Sequence, residues 1–342
     1  MKVVEHPSLL ALNTFGIAAH ARLMVEVENE EDVLSLPRFD AAQDFVLGGG
    51  SNVLFVSDVP GTVLLNRISG IEVIAQDGQQ ALVEVGAGEI WHGLVTWSQR
   101  QGLYGLENLA LIPGLAGAAP MQNIGAYGVE LASLLDSVTA WDWQTASWAV
   151  LDREQCCLGY RDSLFKSVQV GRYFITSIRL RLQKKFSAQL HYPGLEEELH
   201  GAGIRQPTAA DVCAAVIRLR QRKLPDPAVA GNAGSFFKNP LLGQDRFEIL
   251  RGEFPTLPAW PMDHQRVKIS AAWMIEQCGL KGYRHNGAAV SRRHALVLLN
   301  RHRASGLDIW QLARHVQREV QLRFGIMLEP EPRIYLQSDS AG

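Results

Sequence analysis

Short apolar runs bounded by glycine or polar residues dominate the chain up to about residue 190. This pattern predicts β-strands, because strand side chains alternate between two faces and turn residues bound each run. One helix is predicted at 89–101, where Ile90, Leu94 and Trp97 form an apolar stripe that ends before Gly102. The predicted strands are 25–27, 45–47, 53–56, 63–65, 71–74, 81–85, 138–141 and 174–182.

The second half of the chain changes to a helical period. Thr208 and Asp211 have the spacing of a capping box, and Val212, Val216 and Leu219 then share one helical face. Two prolines end this pattern, since proline cannot continue a helix. The other predicted elements are helices from Ser270 to Cys278 and from Ser305 to Phe324, and strands at 295–299 and 330–335.

Length and composition indicate a folded protein of more than one domain. The 342 residues exceed the roughly 250–300 at which a single hydrophobic core stops growing. With 47% hydrophobic and 20% charged residues, the composition excludes a disordered chain. A net charge of -2, from 33 basic and 35 acidic residues, is unlike that of a protein that grips nucleic acid or an anionic membrane. A small-molecule ligand fits this composition better.

The N-terminal residues and the cysteines predict a cytoplasmic chain. Glu5 and His6 stand where a secretory signal needs a continuous apolar stretch. The longest weakly polar run, 109–121, is shorter than the ~20 residues that cross a bilayer. Four cysteines without a CxxC spacing suit a reducing compartment and suggest no disulfide framework or zinc site. The ten histidines show no metal-ligand spacing, so no metal is expected.

A glycine-rich turn lies between two predicted strands. Gly48, Gly49 and Gly50 allow close backbone approach to a ligand, and their amides with Ser51 and Asn52 can form an anion-binding nest. An ordinary hairpin turn explains the same residues about equally well. No helix follows and the chain has no Gly-Lys-Ser/Thr, so neither a Rossmann fingerprint nor a P-loop is present.

A second glycine-rich segment, 112–128, combines small residues that admit a flat ligand with two amides and an aromatic side chain. Gln122 and Asn123 supply hydrogen-bonding groups, and Tyr127 supplies an aromatic wall. A tightly packed core segment is the alternative interpretation.

Three further clusters carry candidate chemistry. Ser235, within 231–240, stands among turn residues and phenylalanines, where its hydroxyl can donate a proton in a water-poor site; a simple turn residue is the alternative. Arg161 and the charged segment 328–334 suit carboxylate recognition or a solvated ion-pair rim. Arg220 and Lys223 fall in the last turn of the helix after Thr208, where the helix dipole favours cations and a phosphate can also bind.

Read in order, these segments resemble the UDP-N-acetylenolpyruvoylglucosamine reductase (MurB) family of flavoenzymes, in its longer type I branch. The resemblance implies an α+β protein with a vanillyl-alcohol-oxidase/PCMH-like FAD-binding domain of two α+β subdomains and a C-terminal substrate-binding domain. The blocks that carry it are 13–15, 47–54, 113–128, 160–163, 231–240 and 329–333. The implied parts are FAD-binding subdomain 1 at 1–66 with 328–342 returning to it, FAD-binding subdomain 2 at 67–222, and the substrate-binding domain at 223–327.

The resemblance also implies roles for individual residues. It implies that Ser235 is the proton donor and that Arg161 and Glu331 are the other catalytic residues. The implied FAD contacts are Gly48, Gly49, Gly50, Ser51, Asn52, Pro113, Gly114, Gly117, Gln122, Asn123, Gly125 and Arg333. The implied substrate contacts are Tyr127, Tyr192, Lys223 and Asn239.

The family activity is the reduction of the enolpyruvyl double bond of UDP-N-acetylglucosamine enolpyruvate to UDP-N-acetylmuramate, a step of peptidoglycan precursor synthesis. The resemblance implies that NADPH reduces FAD, that the reduced flavin gives a hydride from N5 to the β-carbon, and that Ser235 protonates the α-carbon. The FAD is expected to be non-covalent, because neither glycine-rich block contains histidine or cysteine. A monomer is expected, with NADPH and the UDP-sugar as its small-molecule partners.

The chain departs from the family pattern at three positions. Ala118 and Ala119 stand where some members carry hydroxyl residues near the flavin. Pro332 follows Glu331 and removes a backbone donor. Glu329, two residues before Glu331, is the alternative catalytic glutamate.

Two other functions remain open at the level of sequence. An FAD-dependent alcohol or sugar-lactone oxidase or dehydrogenase of the same fold would not need the segment around Ser235 and would react rapidly with oxygen. A catalytically silent nucleotide-sugar-binding protein would contain no flavin. The colour of the purified protein distinguishes the silent binder from the two flavoenzymes.

Overall fold

The computed structural model describes residues 1–262 and 265–337. Their backbone forms two compact units, each assembled from separate stretches of the chain. The first unit comprises 1–7, 21–49 and 59–221; the second comprises 8–20, 50–58 and the described residues from Arg222 onward. Of the segment 328–342 that we expected to return to the first subdomain, residues 338–342 lie outside the described residues. No helix within the described ranges has the length and apolar character needed to cross a bilayer.

Helices and strands alternate irregularly along the chain, as in an α+β protein. The helices are α1 (Glu30–Leu34), α2 (Trp91–Arg100), α3 (Leu195–Gly201), α4 (Ala209–Lys223), α5 (Gln244–Glu253), α6 (Ala271–Gln277) and α7 (Gly306–Phe324). The strands are β1 (Lys2–Glu5), β2 (Ala21–Val27), β3 (Phe45–Leu47), β4 (Val53–Phe55), β5 (Val59–Asn66), β6 (Ile71–Gln76), β7 (Gln80–Gly86), β8 (Gly125–Ala126), β9 (Val129–Glu130), β10 (Leu135–Asp142), β11 (Ser147–Asp152), β12 (Tyr173–Gln183), β13 (Leu241–Gly243), β14 (Ala259–Pro261), β15 (Arg266–Ile269), β16 (Arg284–His285), β17 (Ala288–Val290), β18 (Leu298–Asn300) and β19 (Arg333–Tyr335).

The first unit is built on two sheets. A four-stranded sheet has the order β1-β2-β5-β3, in which β5 pairs in parallel with both β2 and β3. Almost every residue of β5 is buried, as expected for a central parallel strand that is covered on both faces. A five-stranded antiparallel sheet has the order β11-β10-β12-β7-β6. In β12, Ile178, Leu180 and Leu182 are fully buried at alternate positions and therefore face the core.

The core of the first unit joins the five-stranded sheet to the apolar faces of α2 and α4. Trp91 and Leu94 of α2 and Val212 and Val216 of α4 belong to one buried cluster with the inward residues of β7, β10 and β12. The chain from 111 to 124 runs along this cluster as turns and short 3₁₀ segments, with Ala116 and Ala119 buried in it. The glycine-rich segment is therefore supported by the core rather than by a regular element.

The second unit contains short sheets and the long helix α7. The sheets are β13-β15-β14, β16-β17-β18 and the parallel pair β4-β19. Helix α7 packs against β16, β17 and β18. It begins with a capping box between Ser305 and Asp308 and ends at Gly325, which has a φ of 64°. These two signals fix both ends of the helix, as predicted.

The structure confirms the eight strands predicted in the first half and the four helices predicted from capping and period. It corrects the ends of two later strands. The strand predicted at 295–299 is wrong over 295–296, which form a tight turn closed by the hydrogen bond from the Val297 N–H to the His294 carbonyl. Val297 forms only an isolated bridge, and β18 starts at Leu298. The strand predicted at 330–335 starts only at Arg333, since Pro330 and Pro332 have no N–H to pair.

Candidate active site

The glycine-rich turn is not a hairpin. The strand before it, β3, pairs with β5, and the strand after it, β4, pairs with β19. In the first unit Gly49 meets Gly114, the glycine after Pro113 in the second glycine-rich segment. A Cβ on Gly49 would lie only 2.9 Å from the Gly114 Cα, so the two predicted FAD-binding segments approach backbone to backbone and leave no room for a side chain.

Gly50, Ser51 and Asn52 lie in the second unit. Gly50 has a φ of 61°, and a Cβ there would overlap the carbonyl of Leu12, so only glycine fits. The Asn52 carbonyl accepts the Arg333 N–H at 3.0 Å, and the Asn52 Nδ2 donates to the Glu331 carbonyl at 3.4 Å. Asn52 therefore binds both Glu331 and Arg333, two predicted site residues of the terminal segment.

Gly117 is the tightest point of the second glycine-rich segment. Its N–H donates to the Ala87 carbonyl at 2.9 Å, and a Cβ on Gly117 would overlap the Ala87 side chain. The Gly114 carbonyl accepts the N–H of Trp91, at the start of α2, at 3.1 Å. Pro113, the residue before Gly114, is exposed. A Cβ added to Gly48 would lie at ordinary van der Waals distances from Ala118 and Leu115. These contacts form a rigid cradle of backbone.

Gln122 and Asn123 have different roles in this segment. Asn123 is buried, and its Nδ2 donates to the Glu130 Oε2 at 3.0 Å while its Oδ1 accepts the Ala132 N–H at 2.9 Å. The side chain of Asn123 therefore stabilises the protein through these hydrogen bonds, and only the backbone of Asn123 can contact a cofactor. The Gln122 Oε1 accepts a hydrogen bond from the Lys166 Nζ at 3.2 Å.

Arg161 lies beside the same segment. Its Nη2 donates to the Gly125 carbonyl at 3.0 Å, and its guanidinium lies 5.7 Å from the centre of the Tyr160 ring. A Cβ on Gly125 would come within 3.3 Å of the Arg161 Nη1. The structure thus brings a predicted catalytic cation against a predicted flavin-binding glycine.

The two tyrosines predicted to contact the substrate lie together. The rings of Tyr127 and Tyr192 meet edge to face, with their centres 4.8 Å apart. Tyr127 has a φ of 49°, and its carbonyl accepts the Asn108 Nδ2 at 2.7 Å. This side-chain clamp fixes Tyr127, while Tyr192 lies just before α3 and is half-buried.

Ser235 is held in the second unit by hydrogen bonds on both sides of its segment. The next residue, Phe236, donates its N–H to the Leu296 carbonyl at 2.7 Å and accepts the Glu331 N–H at 2.8 Å. Ser235 itself forms an isolated bridge with Val297. Ser235 is therefore part of a fixed three-stranded arrangement, unlike a free turn residue, and Glu331 lies on the neighbouring antiparallel segment.

The two glutamates of the terminal segment have different environments. The Glu329 side chain is 73% exposed and pairs with the Lys238 Nζ at 3.2 Å. Glu331 is half-buried, and its carbonyl is the group that Asn52 binds. The alternative glutamate therefore faces solvent, whereas the first choice lies inside the hydrogen-bonded cluster.

Lys223 and Asn239 are held by separate elements of the second unit. Lys223 is the last residue of α4, and burial together with the charge of Lys223 lowers the pKa of His294 below its usual value. The Asn239 Oδ1 accepts the N–H of Ala271, the first residue of α6, at 3.0 Å. Asn239 thus also helps to cap this helix.

Sequence reasoning missed the environment of Arg220. The helix dipole explained a cation at the end of α4, with phosphate binding as the alternative, but neither indicated that the Arg220 Nε is shielded from solvent and has no hydrogen-bond partner among the described residues. Burial and the charge of Arg220 lower the pKa of His92, and the His92 Nδ1 accepts the Leu111 N–H at 3.1 Å. The helical period alone placed Arg220 near the helix end; only the tertiary packing shows that it turns inward.

The residues present fit FAD in two respects. The paired glycines Gly49 and Gly114 leave bare backbone where a side chain cannot stand, which is how protein amides reach a pyrophosphate. The shielded Nε of Arg220 beside the second glycine-rich segment offers a hydrogen-bond donor to a bound group.

Comparison with known proteins identifies two domain families in the chain. Residues 21–147 match the model of an FAD binding domain, and residues 226–335 match the model of the UDP-N-acetylenolpyruvoylglucosamine reductase C-terminal domain. The chain is 46% identical over 338 residues to the enzyme of that name from Pseudomonas aeruginosa, covering 98% of this chain and 99% of the relative. It is 47% identical over 334 residues to that from Xanthomonas oryzae, covering 96% and 98%.

A solved structure shows the same architecture. The reductase (MurB) from Thermus caldophilus superposes with a TM-score of 0.68 at 28% identity, and the match covers 98% of this chain and all of that one. The expected α+β organisation, an FAD-binding domain followed by a C-terminal domain of this type, is therefore confirmed. From the two domain models and the full-length relatives we conclude that the chain belongs to the UDP-N-acetylenolpyruvoylglucosamine reductase (MurB) family.

Proposed function

We propose that this chain is the NADPH-dependent flavoenzyme that reduces UDP-N-acetylglucosamine enolpyruvate to UDP-N-acetylmuramate, a UDP-N-acetylmuramate dehydrogenase of peptidoglycan precursor synthesis. The observation that carries the proposal is the pairing of the Ser235 segment with the Glu331 segment, through the 2.8 Å hydrogen bond from the Glu331 N–H to the Phe236 carbonyl. An oxidase of the same fold has no use for a hydroxyl donor and a carboxyl group held in this way.

FAD, when bound, takes up electrons from NADPH and passes them to the carbon–carbon double bond of the substrate. Gly48, Gly49 and Gly114 offer backbone N–H groups to its pyrophosphate, and the small residues around Gly117 leave space for a flat ring. The side chain of Asn123 keeps this cradle rigid, because its hydrogen bonds all go to protein groups. Rigidity of this kind lowers the entropy cost of positioning the reactants.

Ser235, Arg161 and Glu331 act on the enolpyruvyl end of the substrate in this proposal. Negative charge develops on the α-carbon and the attached carboxylate during reduction, and the cationic Arg161 stabilises that charge more than it stabilises the ground state. Ser235 then gives its hydroxyl proton to the α-carbon, which is basic enough to take it without a histidine relay. Glu331 restores or holds the proton of Ser235.

Tyr192, Lys223 and Asn239 act on the nucleotide end. Lys223 supplies a compact positive charge for the diphosphate. Tyr192, half-buried against Tyr127, supplies a hydroxyl and an aromatic face. The Asn239 Oδ1 accepts a hydrogen bond from the Ala271 N–H, and this bond orients the amide nitrogen of the same side chain.

The proposal includes the arrangement of the whole chain. We assign 1–66 with the described part of 328–342 to FAD-binding subdomain 1, 67–222 to FAD-binding subdomain 2, and 223–327 to the substrate-binding domain. The match of 226–335 to the C-terminal domain model supports a substrate-binding domain that begins near 223, and the match itself runs on to 335. We further propose a cytoplasmic monomer whose partners are NADPH and the UDP-sugar.

Anaerobic reoxidation tests this function. The protein is purified with FAD, reduced with one equivalent of NADPH without oxygen, and mixed with UDP-N-acetylglucosamine enolpyruvate. We expect rapid return of the flavin absorbance, and acid precipitation should release the flavin because it is not covalently attached. Fast reoxidation by oxygen with no response to the UDP-sugar would falsify the reductase assignment in favour of the oxidase alternative.

A further inference from the structure

The segment from 277 to 307 of the second unit is strongly basic. It contains no aspartate or glutamate, although acidic residues slightly outnumber basic ones in the whole chain. Its lysine and arginine residues are Lys281, Arg284, Arg292, Arg293, Arg301 and Arg303. A local excess of one sign of charge attracts ligands of the opposite charge. Two of these arginines also line a cavity.

The cavity lies within the second unit and has a volume of about 380 Å³. It is lined by the turn 13–16, by residues of the segment 227–231, and by Asn300, Arg301 and Arg303. None of these described lining residues is an aspartate or a glutamate, and none is assigned to FAD or to the UDP-sugar in the proposed function. Small-molecule sites usually have volumes of roughly 300–1,000 Å³. The cavity is therefore large enough for a ligand of its own.

Arg301 and Arg303 bring two positive charges to this cavity. Within the described ranges, neither guanidinium has a hydrogen bond or an ion pair with another residue. Asp226 adjoins the cavity in sequence, but its Oδ1 accepts the Ala228 N–H at 2.9 Å and it is not a lining residue. A guanidinium presents a planar fork of donors that matches the oxygens of a phosphate. The two arginines therefore fit an anion with a phosphate group.

The loop 301–303 is held in place by the residues on either side of it. The Asn300 Oδ1 accepts the Ala304 N–H at 2.8 Å, and the Asn300 Nδ2 donates to the Ala304 carbonyl at 3.4 Å. Arg303 has a φ of 55°, in the left-handed region that asparagine and glycine adopt more readily than arginine. Backbone strain of this kind is concentrated at binding sites. Because the fold fixes the loop in advance, binding costs less entropy.

One wall of the cavity is bonded to two segments of the proposed active site. The Thr14 N–H donates to the Gly50 carbonyl at 3.0 Å, and the Thr14 carbonyl accepts the Asn232 N–H at 3.0 Å. The Thr14 Oγ1 also donates to the Asn232 carbonyl at 2.7 Å. Gly50 belongs to the glycine-rich turn, and Asn232 lies in the same segment as Ser235. A ligand against the turn 13–16 would therefore restrict the motion of both segments.

We propose that this cavity is an effector site for a small anion with a phosphate group, bound by Arg301 and Arg303. Binding is non-covalent, and no bond is formed or broken. The bound anion stabilises the contact between Thr14 and Gly50, so FAD leaves the holoprotein more slowly. By linkage, bound FAD raises the affinity for the anion by the same factor.

Isothermal titration calorimetry of the FAD-loaded protein with sodium pyrophosphate, at constant ionic strength, tests the site. We expect one pyrophosphate to bind per chain of the wild type. Arg301→Gln and Arg303→Asn should each weaken binding by about tenfold or more, because each removes charge-assisted hydrogen bonds. Asparagine tolerates the left-handed backbone at 303, and both arginines are exposed, so these changes leave the core intact.

Arg284→Gln is the matched control. Arg284 is an exposed arginine of β16 in the same basic segment, and it does not line the cavity, so the affinity should stay at the wild-type value. An equal loss of affinity in Arg284→Gln would show that pyrophosphate responds only to net charge and would overturn the inference. Absence of binding to the wild type would also overturn it.

Lys223→Ala distinguishes this site from the nucleotide site of the proposed function. A loss of pyrophosphate affinity in Lys223→Ala, with none in Arg301→Gln, would place the anion at the nucleotide site and overturn the inference. Titration with glucose 6-phosphate identifies the source of the phosphate group. Binding as tight as that of pyrophosphate would support an organic phosphate as the effector, and weaker binding would support an inorganic one.

The rate of FAD loss after dilution, followed by flavin fluorescence, tests the effector role. Pyrophosphate should slow this loss by about fivefold in the wild type, the lower end of the usual coupling between two sites, and should have no effect in Arg301→Gln. An equal rate with and without pyrophosphate in the wild type would overturn the effector role. Failure of the wild type to reduce the UDP-sugar would refute the proposed function alone, since these measurements need only bound FAD.

Discussion

The backbone N–H of Glu331 donates a 2.8 Å hydrogen bond to the carbonyl oxygen of Phe236. These residues are far apart in sequence. The bond places the segment of Ser235, the proposed proton donor, beside the segment of Glu331, which is proposed to restore or hold the proton of Ser235. Pro332 does not prevent this contact, because the donor is the N–H of Glu331 itself and Pro332 lacks only its own.

Ser235→Ala should separate the two half-reactions. Reduction of FAD by NADPH needs no proton from the serine, so its rate should stay near that of the wild type. Reoxidation by the UDP-sugar should slow by ~10²–10⁴-fold, the usual contribution of a general acid. Stopped-flow absorbance of the flavin measures the two steps independently.

Ser305→Ala is the matched control for that experiment. It removes a hydroxyl from the second unit that caps α7, where the Ser305 Oγ accepts the Asp308 N–H at 3.1 Å. Loss of an N-cap costs about 1 kcal/mol of stability, and both half-reactions should remain normal. Equal slowing of both half-reactions in Ser235→Ala would show that Ser235 acts only on structure.

The two terminal glutamates should behave differently when each is changed to glutamine. Glu331→Gln should slow the reoxidation half-reaction by about 10²-fold or more, because the amide cannot restore the proton of Ser235. Glu329→Gln should leave both half-reactions unchanged, since Glu329 is exposed and its ion pair with Lys238 is of the weak surface kind. The reverse result would identify Glu329 as the catalytic glutamate.

The sequence predicts an element well where one signal dominates. The strand β12 alternates apolar and polar residues, and α7 has both caps and an apolar stripe, so both were predicted. Helix α1, Glu30–Leu34, begins after the N-cap residue Asn29 and buries only one residue. A single buried residue forms no apolar stripe that the sequence could reveal. Helix α5, Gln244–Glu253, buries only Phe247 and Leu250 and was missed for the same reason.

The site shows a similar division. Motif resemblance nominated Ser235 and Arg161 because their segments carry recognisable residue patterns. The inward position of Arg220 depends on how α4 packs on its neighbours, and the helical period alone cannot reveal an unbalanced charge. The same holds for Asn123, whose amide looked free to bind a ligand but braces Glu130 and Ala132. Tertiary hydrogen bonding decides such cases.

Tyr192→Phe should raise the KM for the UDP-sugar and change kcat little. The phenylalanine ring keeps the edge-to-face contact with Tyr127, so the defect reports the lost hydroxyl alone. Lys223→Ala should act in the same way, because it removes a charge proposed to bind the diphosphate. Steady-state kinetics with varied UDP-sugar measure both variants.

Tyr283→Phe is the control for Tyr192→Phe. Tyr283 packs on His315 in the second unit, with the ring centres 4.8 Å apart, and its hydroxyl has no role in the proposal. Its KM should equal that of the wild type. A fall in kcat with an unchanged KM in both Tyr192→Phe and Lys223→Ala would remove these residues from substrate binding.

Glu107 should make the first unit less stable as the pH rises. Burial raises the pKa of Glu107 above its ordinary value of 4.5, against the opposing hydrogen bonds from backbone N–H groups. Its folded pKa exceeds its unfolded pKa, so its favourable contribution to stability is complete below about pH 4.5 and is lost as the pH rises through the folded pKa. Glu107→Gln removes the titration and keeps an acceptor for the Gly105 N–H.

Urea unfolding of wild type and Glu107→Gln at a series of pH values checks this prediction. As the pH rises above 4.5, the free energy of unfolding of the glutamine variant should increase relative to that of the wild type. Above the folded pKa of Glu107 the difference between the two should stay constant. Asp142→Asn is the control of opposite sign: hydrogen bonding to Arg172 lowers the pKa of Asp142 to about 2, so the wild type should lose its advantage over that variant as the pH falls from 3.8 through 2. A difference between wild type and Glu107→Gln that does not change with pH would mean that Glu107 titrates alike in the folded and unfolded chains, and that its burial costs no ionisation energy.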